Sequence, residues 1–249
     1  MKVYFVGAGP GAADLITLRG RSLIETADVV IYAGSLVCPD HLNWCRSDAR
    51  IYDSAGMNLD EVTAVFTRHK QDSGHIVRLH TGDPSVYGAI QEQMDFLRKQ
   101  DIPFEVVPGV SSFQAASAVL ERQLTLPGVS QTVILSRVEG RTAVPEKESL
   151  EVLAAIGATL VLFLSVNRAA EVQSRLVPVL GADTPAAVVY RASWPDQEIR
   201  RGTLGNLSEL AEGIRCHALM IIGRVLDSDY ELSKLYDSAF SHGFRRGNS

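Results

Sequence analysis

Cysteine is scarce in this chain: Cys38, Cys45 and Cys216 are the only three in 249 residues. An odd, scattered set with no Cys-x-x-Cys pair excludes a disulfide framework. Cys38, His41 and Cys45 are close in sequence, but a fourth zinc ligand is missing, so free thiols and no metal are expected. No charge of one sign dominates. With 24 Lys and Arg against 29 Asp and Glu the net charge is −5, which gives no overall field to attract nucleic acid. No apolar run is long enough to cross a bilayer, and no partner membrane is expected. The first residues, Lys2-Val3-Tyr4-Phe5-Val6, read as a strand and not as a basic, cleavable leader, so the expected location is the cytoplasm. A Ser-His-Asp set and a His-Glu-x-x-His helix are also missing, which leaves hydrolase and metalloenzyme readings without support.

What is present is apolar and periodic. At 46% hydrophobic the chain can bury one large core or two moderate ones. Apolar runs alternate with helix-like segments, which predicts α/β architecture. In the first half the expected strands are Val3–Val6, Val29–Tyr32, Ile76–Leu79 and Phe104–Val107. Helices are expected over Leu15–Thr26, Leu59–Lys70 and Tyr87–Lys99, and Ser111 or Ser112 can cap a fourth. This half predicts a mostly parallel sheet. The second half offers strands at Thr132–Leu135, Thr159–Leu164, Ala187–Tyr190, Ile199–Leu204 and Ala218–Ile222. The short segment Trp194-Pro195-Asp196-Gln197 predicts an antiparallel hairpin, because a parallel pair needs a long crossover. Two α/β domains are therefore expected, residues 1–115 and 116–249, the second with a mixed sheet and a polar tail from about residue 227.

One run carries more functional information than any other: His80-Thr81-Gly82-Asp83-Pro84-Ser85-Val86-Tyr87-Gly88. It follows an apolar strand, and Gly-Asp-Pro forces a turn at that strand's C-terminal end, where open α/β sheets bind ligands. A second loop, Gly7-Ala8-Gly9-Pro10-Gly11-Ala12, nominally fits G-x-G-x-x-A. Pro10 has no N–H where a pyrophosphate would be cradled. The second strand ends in Tyr32-Ala33-Gly34-Ser35, with no acid for a ribose hydroxyl. A dinucleotide site is thus disfavoured, and with no Gly-Lys-Ser/Thr there is no Walker loop. The glycines either permit a sharp turn and close packing or let a ligand approach the backbone. Arg137 and Arg141 flank Glu139: either a solvated ion-pair loop or a clamp for carboxylates. Trp194 on its turn is either a core residue or a wall for a flat ligand.

Taken in order, VGAGPG (6–11), TGDPSVYG (81–88), PGVSS (108–112), LFLS (162–165) and ALMIIG (218–223) resemble the tetrapyrrole (corrin/porphyrin) methyltransferase family over nearly the whole chain. YAGSLV (32–37), SAGM (54–57), HTGDPSVYGAI (80–90), QTVILSRVEGRTAVPE (131–146) and YRASWPDQEI (190–199) resemble the branch that methylates ring carbon C11 of precorrins. The resemblance implies two α/β domains with an active-site cleft between them. It also implies a homodimer and S-adenosylmethionine as methyl donor, leaving as S-adenosylhomocysteine. Carried over by motif, the donor would meet Pro10, Thr81, Gly82, Asp83, Ser111, Ser112, Leu164, Arg191, Ala192 and Ala218. Met57, Tyr87, Arg137, Arg141 and Trp194 would line the tetrapyrrole. Where family members commonly carry Gly-Asp-Pro, this chain has Gly11-Ala12-Ala13, which leaves that loop's donor contacts open. Methylation of another ring position, a macrocycle already holding cobalt, and a non-catalytic donor- or tetrapyrrole-binding module are the alternatives.

Overall fold

The computed structural model describes residues 1–140, 143–227, 229–233, 240–241 and 243–246. The chain divides into two compact units. One comprises Met1–Ala115 together with Arg191–Gln197; the other comprises Ala116–Tyr190 and the chain from Glu198 on. The segment 191–197 thus counts with the first unit although it lies in the second half of the sequence.

The first unit is built on five parallel strands in the order β3-β2-β4-β1-β5. They are β1 (Lys2–Gly7), β2 (Val29–Tyr32), β3 (Arg50–Asp53), β4 (His75–His80) and β5 (Phe104–Val107). Helices α1 (Leu18–Thr26), α2 (Leu59–Arg68) and α3 (Gln91–Lys99) provide crossovers. Alternation along β1 divides its side chains between two cores: Val3 and Phe5 join Ile31, Ile76, Phe66 and Leu97, and Val6 joins Val30, Val77, Leu79 and Ile24. Burial on both faces explains the near-continuous apolar strands. Asn58 starts α2 with a capping box: its Oδ1 accepts the Glu61 N–H at 3.0 Å, and Glu61 Oε2 accepts the Asn58 N–H at 2.7 Å.

The second unit carries β6 (Val133–Arg137), β7 (Thr159–Phe163), β8 (Pro185–Tyr190), β9 (Glu198–Thr203) and β10 (Ala218–Ile222) in the order β6-β7-β10-β8-β9. Helix α4 (Ser112–Leu120) spans the division between the units; α5 (Leu150–Ala154), α6 (Ala169–Leu180) and α7 (Leu207–Leu210) lie in the second. β6 and β7 are parallel and all other pairs antiparallel, so the sheet is mixed, with β8 and β9 forming the expected hairpin. Leu160, Leu162, Val188 and Met220 pack with Val172, Leu176 and Leu207 beneath it. Arg175 ties the helices together through a bidentate pair with Glu151 (2.6 and 2.8 Å), with Glu139 and Glu171 at 3.2 and 3.3 Å.

Three local expectations change. The helix expected from Tyr87 begins at Gln91, because Tyr87 and Ala89 take φ of 55° and 50°, which no right-handed helix accepts. The helix expected from Leu15 begins at Leu18, where the Thr17 hydroxyl accepts the Gly20 N–H at 3.1 Å. β3 has no counterpart in the expected strands; it is a mostly exposed edge strand, Arg-Ile-Tyr-Asp, without a clear apolar period. The tail from residue 227 falls partly outside the described residues. No helix among the described residues is long and apolar enough to cross a membrane.

Candidate functional site

In the first unit β4, β1 and β5 are neighbours, so the loops leaving their C-terminal ends converge. The glycine loop and the Thr81-Gly82-Asp83 turn are stitched together by backbone. Ala8 N–H donates to His80 O at 2.7 Å, Gly82 N–H to Gly9 O at 2.7 Å, and Gly9 N–H to Gly82 O at 3.3 Å. The third loop joins through Asp83, whose Oδ2 accepts the Gly109 N–H at 2.8 Å. Its Oδ1 accepts the Ser85 N–H at 2.8 Å and also the Ser85 hydroxyl. Burial pushes this carboxyl up, but the Ser85 and Gly109 donors outweigh it and hold it below the ordinary carboxylate range.

Glycine is required here by packing. A Cβ on Gly7 would lie 2.6 Å from Gly109 Cα and from Gly82 O. Three backbones therefore meet without side chains between them. Behind the loop, buried His41 sits with Nδ1 2.8 Å from Cys38 O and Nε2 2.9 Å from Ala8 O. Burial pushes the Cys38 and Cys45 thiols up, away from metal-binding thiolates. No group of three metal-ligating side chains occurs among the described residues. His80 is buried and its Nε2 has no hydrogen-bond partner. Burial and the neighbouring Arg78 cation bring it down to about 3, so it stays a neutral ring at neutral pH.

The segment 191–197 folds onto the glycine loop. The Trp194 indole N–H donates to Pro10 O at 3.0 Å, and Ser193 Oγ accepts the Ala12 N–H at 3.0 Å. A Cβ on Gly11 would overlap the indole. Arg191 and Ser193 are left-handed, with φ of 45° and 72°, on either side of buried Ala192. The Arg191 guanidinium stacks 4.0 Å from the Trp194 ring centre and pairs with Asp196 at 2.5 Å. Pro10, Arg191, Ala192 and Trp194 thus form one block in this structure. Ser111 is buried, and its N–H donates to Gln114 Oε1 at 2.9 Å, opening α4 at Ser112. Tyr87 is exposed on its left-handed turn, and Met57 packs partly buried against the first core.

The remaining candidates lie in the second unit. Leu164 follows β7 with φ of 52° and is 68% exposed. Beside it, fully buried Ser165 donates to Phe163 O at 2.6 Å and accepts the Val138 N–H at 2.8 Å. One hydroxyl therefore binds the Leu164 turn to the start of the loop after Arg137, the last residue of β6. Ala218 opens β10 and is buried. Arg141 lies outside the described residues. Ser165 and Ser193 were not singled out in the sequence, and His41 was weighed there only as a zinc ligand. Ser165 and Ser193 each had a signal there, as the last letter of LFLS (162–165) and as part of YRASWPDQEI (190–199).

The loops of the first unit offer backbone groups, small residues and strained turns, with no nucleophile–base pair among their described residues. They suit a ligand that brings its own reactivity. Residues 2–208 match the family described as Tetrapyrrole (Corrin/Porphyrin) Methylases. The chain is 50% identical to the cobalt-precorrin-4 C(11)-methyltransferase of Methanocaldococcus jannaschii, over 99% of this chain and 97% of that one. It is 45% identical to a precorrin-4 C(11)-methyltransferase of Sinorhizobium sp, over 98% of each. The X-ray structure of a cobalamin biosynthetic enzyme, cobalt precorrin-4 methyltransferase, superposes with a TM-score of 0.88 at 44% identity, covering 91% of this chain and 96% of that one. A uroporphyrin-III C-methyl transferase from Thermus thermophilus, complexed with S-adenyl homocysteine, gives 0.77 at 30% identity, covering 91% and 99%. The chain belongs to the tetrapyrrole (corrin/porphyrin) methylase family.

Proposed function

We propose that this protein transfers a methyl group from S-adenosylmethionine to C11 of precorrin-4, giving precorrin-5 in cobalamin biosynthesis. The carrying observation is the fusion of the glycine loop, the Thr81-Gly82-Asp83 turn and the loop at Gly109 into one backbone surface in a chain of this family. The chemistry of this surface supports the donor reading. A methyl donor's amino-acid and adenosyl parts call for backbone donors and acceptors, and Asp83, the acid of the turn, is occupied by the Ser85 and Gly109 amides.

A sulfonium donor supplies an activated methyl group, so no protein nucleophile is needed. The protein's task is alignment, with reacting atoms held at roughly 3–3.5 Å. Pro10, Thr81, Gly82, Asp83, Ser111, Ser112, Arg191 and Ala192 are proposed to shape the donor site, with Leu164 and Ala218 from the second unit. Met57, Tyr87, Arg137 and Arg141 are proposed for the tetrapyrrole, whose carboxylate arms need local arginines on an acidic protein. Brought down to about 3 by burial and Arg78, His80 is too weak a base to be assigned proton removal after transfer. The chain is proposed to work as a homodimer in the cytoplasm, in keeping with three free thiols.

Incubation with carbon-13-methyl donor and precorrin-4 tests the reading, with NMR of the product. Label on a new quaternary C11 is expected; label at another ring carbon, or none, overturns it. The cobalt-containing macrocycle is the second reading, favoured by the name of the 50% identical relative. A parallel incubation with cobalt-precorrin-4 compares the two rates.

A further inference from the structure

We propose that Trp194 is a positioning residue for the methyl donor: it clasps the glycine loop at Pro10 and Gly11 and fixes the shape in which the donor is bound. This rests on the donor reading given above. Pro10 has no N–H, so residues 10–12 have five backbone polar groups. The segment 191–197 takes one on each side of Gly11: Pro10 O through the indole N–H at 3.0 Å, and Ala12 N–H through Ser193 Oγ at 3.0 Å. Between these anchors the indole fills the space a Gly11 side chain would need. The loop is therefore held at two points and pressed at a third.

The clasp is itself rigid. Trp194 N–H donates to Arg191 O at 2.9 Å, Gln197 N–H to Trp194 O at 3.1 Å, and Ser193 N–H to Gln197 Oε1 at 2.9 Å. The Arg191 guanidinium covers the indole face and is held by Asp196. Two non-glycine residues, Arg191 and Ser193, are kept left-handed, a strain that persists only where surrounding contacts over-determine the backbone. Such a preformed frame lowers the ordering required when a ligand binds. Its partner is the glycine loop, so the clasp is assigned to the donor.

Calorimetric titration of the full chain with S-adenosylhomocysteine tests this, alongside donor and tetrapyrrole KM values. Trp194→Phe keeps an aromatic ring and removes the N–H donor; binding is expected to weaken about tenfold, the scale of one net hydrogen bond. Ser193→Ala is expected to weaken it about threefold. Gly11→Ala should cost about tenfold or more in the wild-type background and less than about twofold beside Trp194→Leu, where the indole is gone. Donor KM should rise in each variant while tetrapyrrole KM stays within about twofold. Wild-type affinity in Trp194→Phe, or an equal Gly11→Ala penalty in both backgrounds, overturns the positioning role alone. If the wild-type protein bound no S-adenosylhomocysteine, the donor reading would fall and the clasp's role with it. Circular dichroism of each variant separates loss of fold from loss of binding.

Discussion

The carboxylate of Asp83 accepts the backbone N–H of Gly109 at 2.8 Å, so an acid at the end of β4 holds the chain leaving β5. Its other oxygen is occupied by Ser85. Asp83 therefore holds two loops at a fixed spacing. Asp83→Ala leaves the Gly109 and Ser85 amides without this acceptor, a loss of about 1–3 kcal/mol. The expected outcome is lower stability in urea and about tenfold weaker donor affinity in equilibrium dialysis. Undiminished affinity would remove Asp83 from the donor site.

Gly7 tests the close approach of three backbones. Its added Cβ would lie 2.6 Å from both Gly109 Cα and Gly82 O, and backbone cannot rotate aside as a side chain can. Gly7→Ala should destabilise the protein by about 1–3 kcal/mol, the range of overpacked cores. Chemical denaturation measures it, and an unchanged midpoint would show that the loops part without strain.

Ser165 binds the Leu164 turn to Val138 with one buried hydroxyl. Ser165→Ala orphans the Val138 N–H and should cost about 1–3 kcal/mol. Ser165→Thr retains the hydroxyl and should recover part of the loss. Thermal unfolding of the pair decides whether the hydroxyl or the residue's volume matters.

Arg137 ends β6 beside that junction. Arg137→Ala should weaken tetrapyrrole binding about tenfold, as loss of a charge-assisted contact would, while S-adenosylhomocysteine affinity stays near wild type. Calorimetry with each ligand separates the two, and unchanged tetrapyrrole binding would take Arg137 off the substrate wall.

The Arg175 guanidinium beside Glu151 brings its carboxyl down to about 2. The folded value lies below the unfolded one, so the pair's contribution is complete above about pH 4.5 and is lost as pH falls through about 2. Glu151→Gln should narrow the stability gap to wild type progressively between those limits. Half-exposed Glu151 is screened by solvent, so the gap at neutral pH should be small. Urea titrations at pH 6, 4 and 3 follow it, and a gap independent of pH would break the link to this carboxylate.

The turns that follow β1 and β4 were legible in the chain, for local reasons. Gly82-Asp83-Pro84 turns wherever it follows a strand, and Pro10 denies a pyrophosphate its donor in any fold. What misled was equally local: Tyr87 and Gln91 read as one helix, yet residues 87 and 89 are left-handed, a choice made by neighbours. β3 was invisible because an edge strand with exposed Arg50 and Ile51 has little apolar pattern to show.

Sequence by itself determined the alternation of strands and helices, the hairpin at 194–197 and the turns bearing glycine, because these depend on side-chain period and on φ/ψ limits within a few residues. Only the tertiary structure decided that Asp83 faces Gly109, that Trp194 reaches back 184 positions to Pro10, and that Ser165 links two strand ends. Hydrogen bonds between distant residues leave no period along the chain; they exist only once packing has brought donor and acceptor to within about 3 Å.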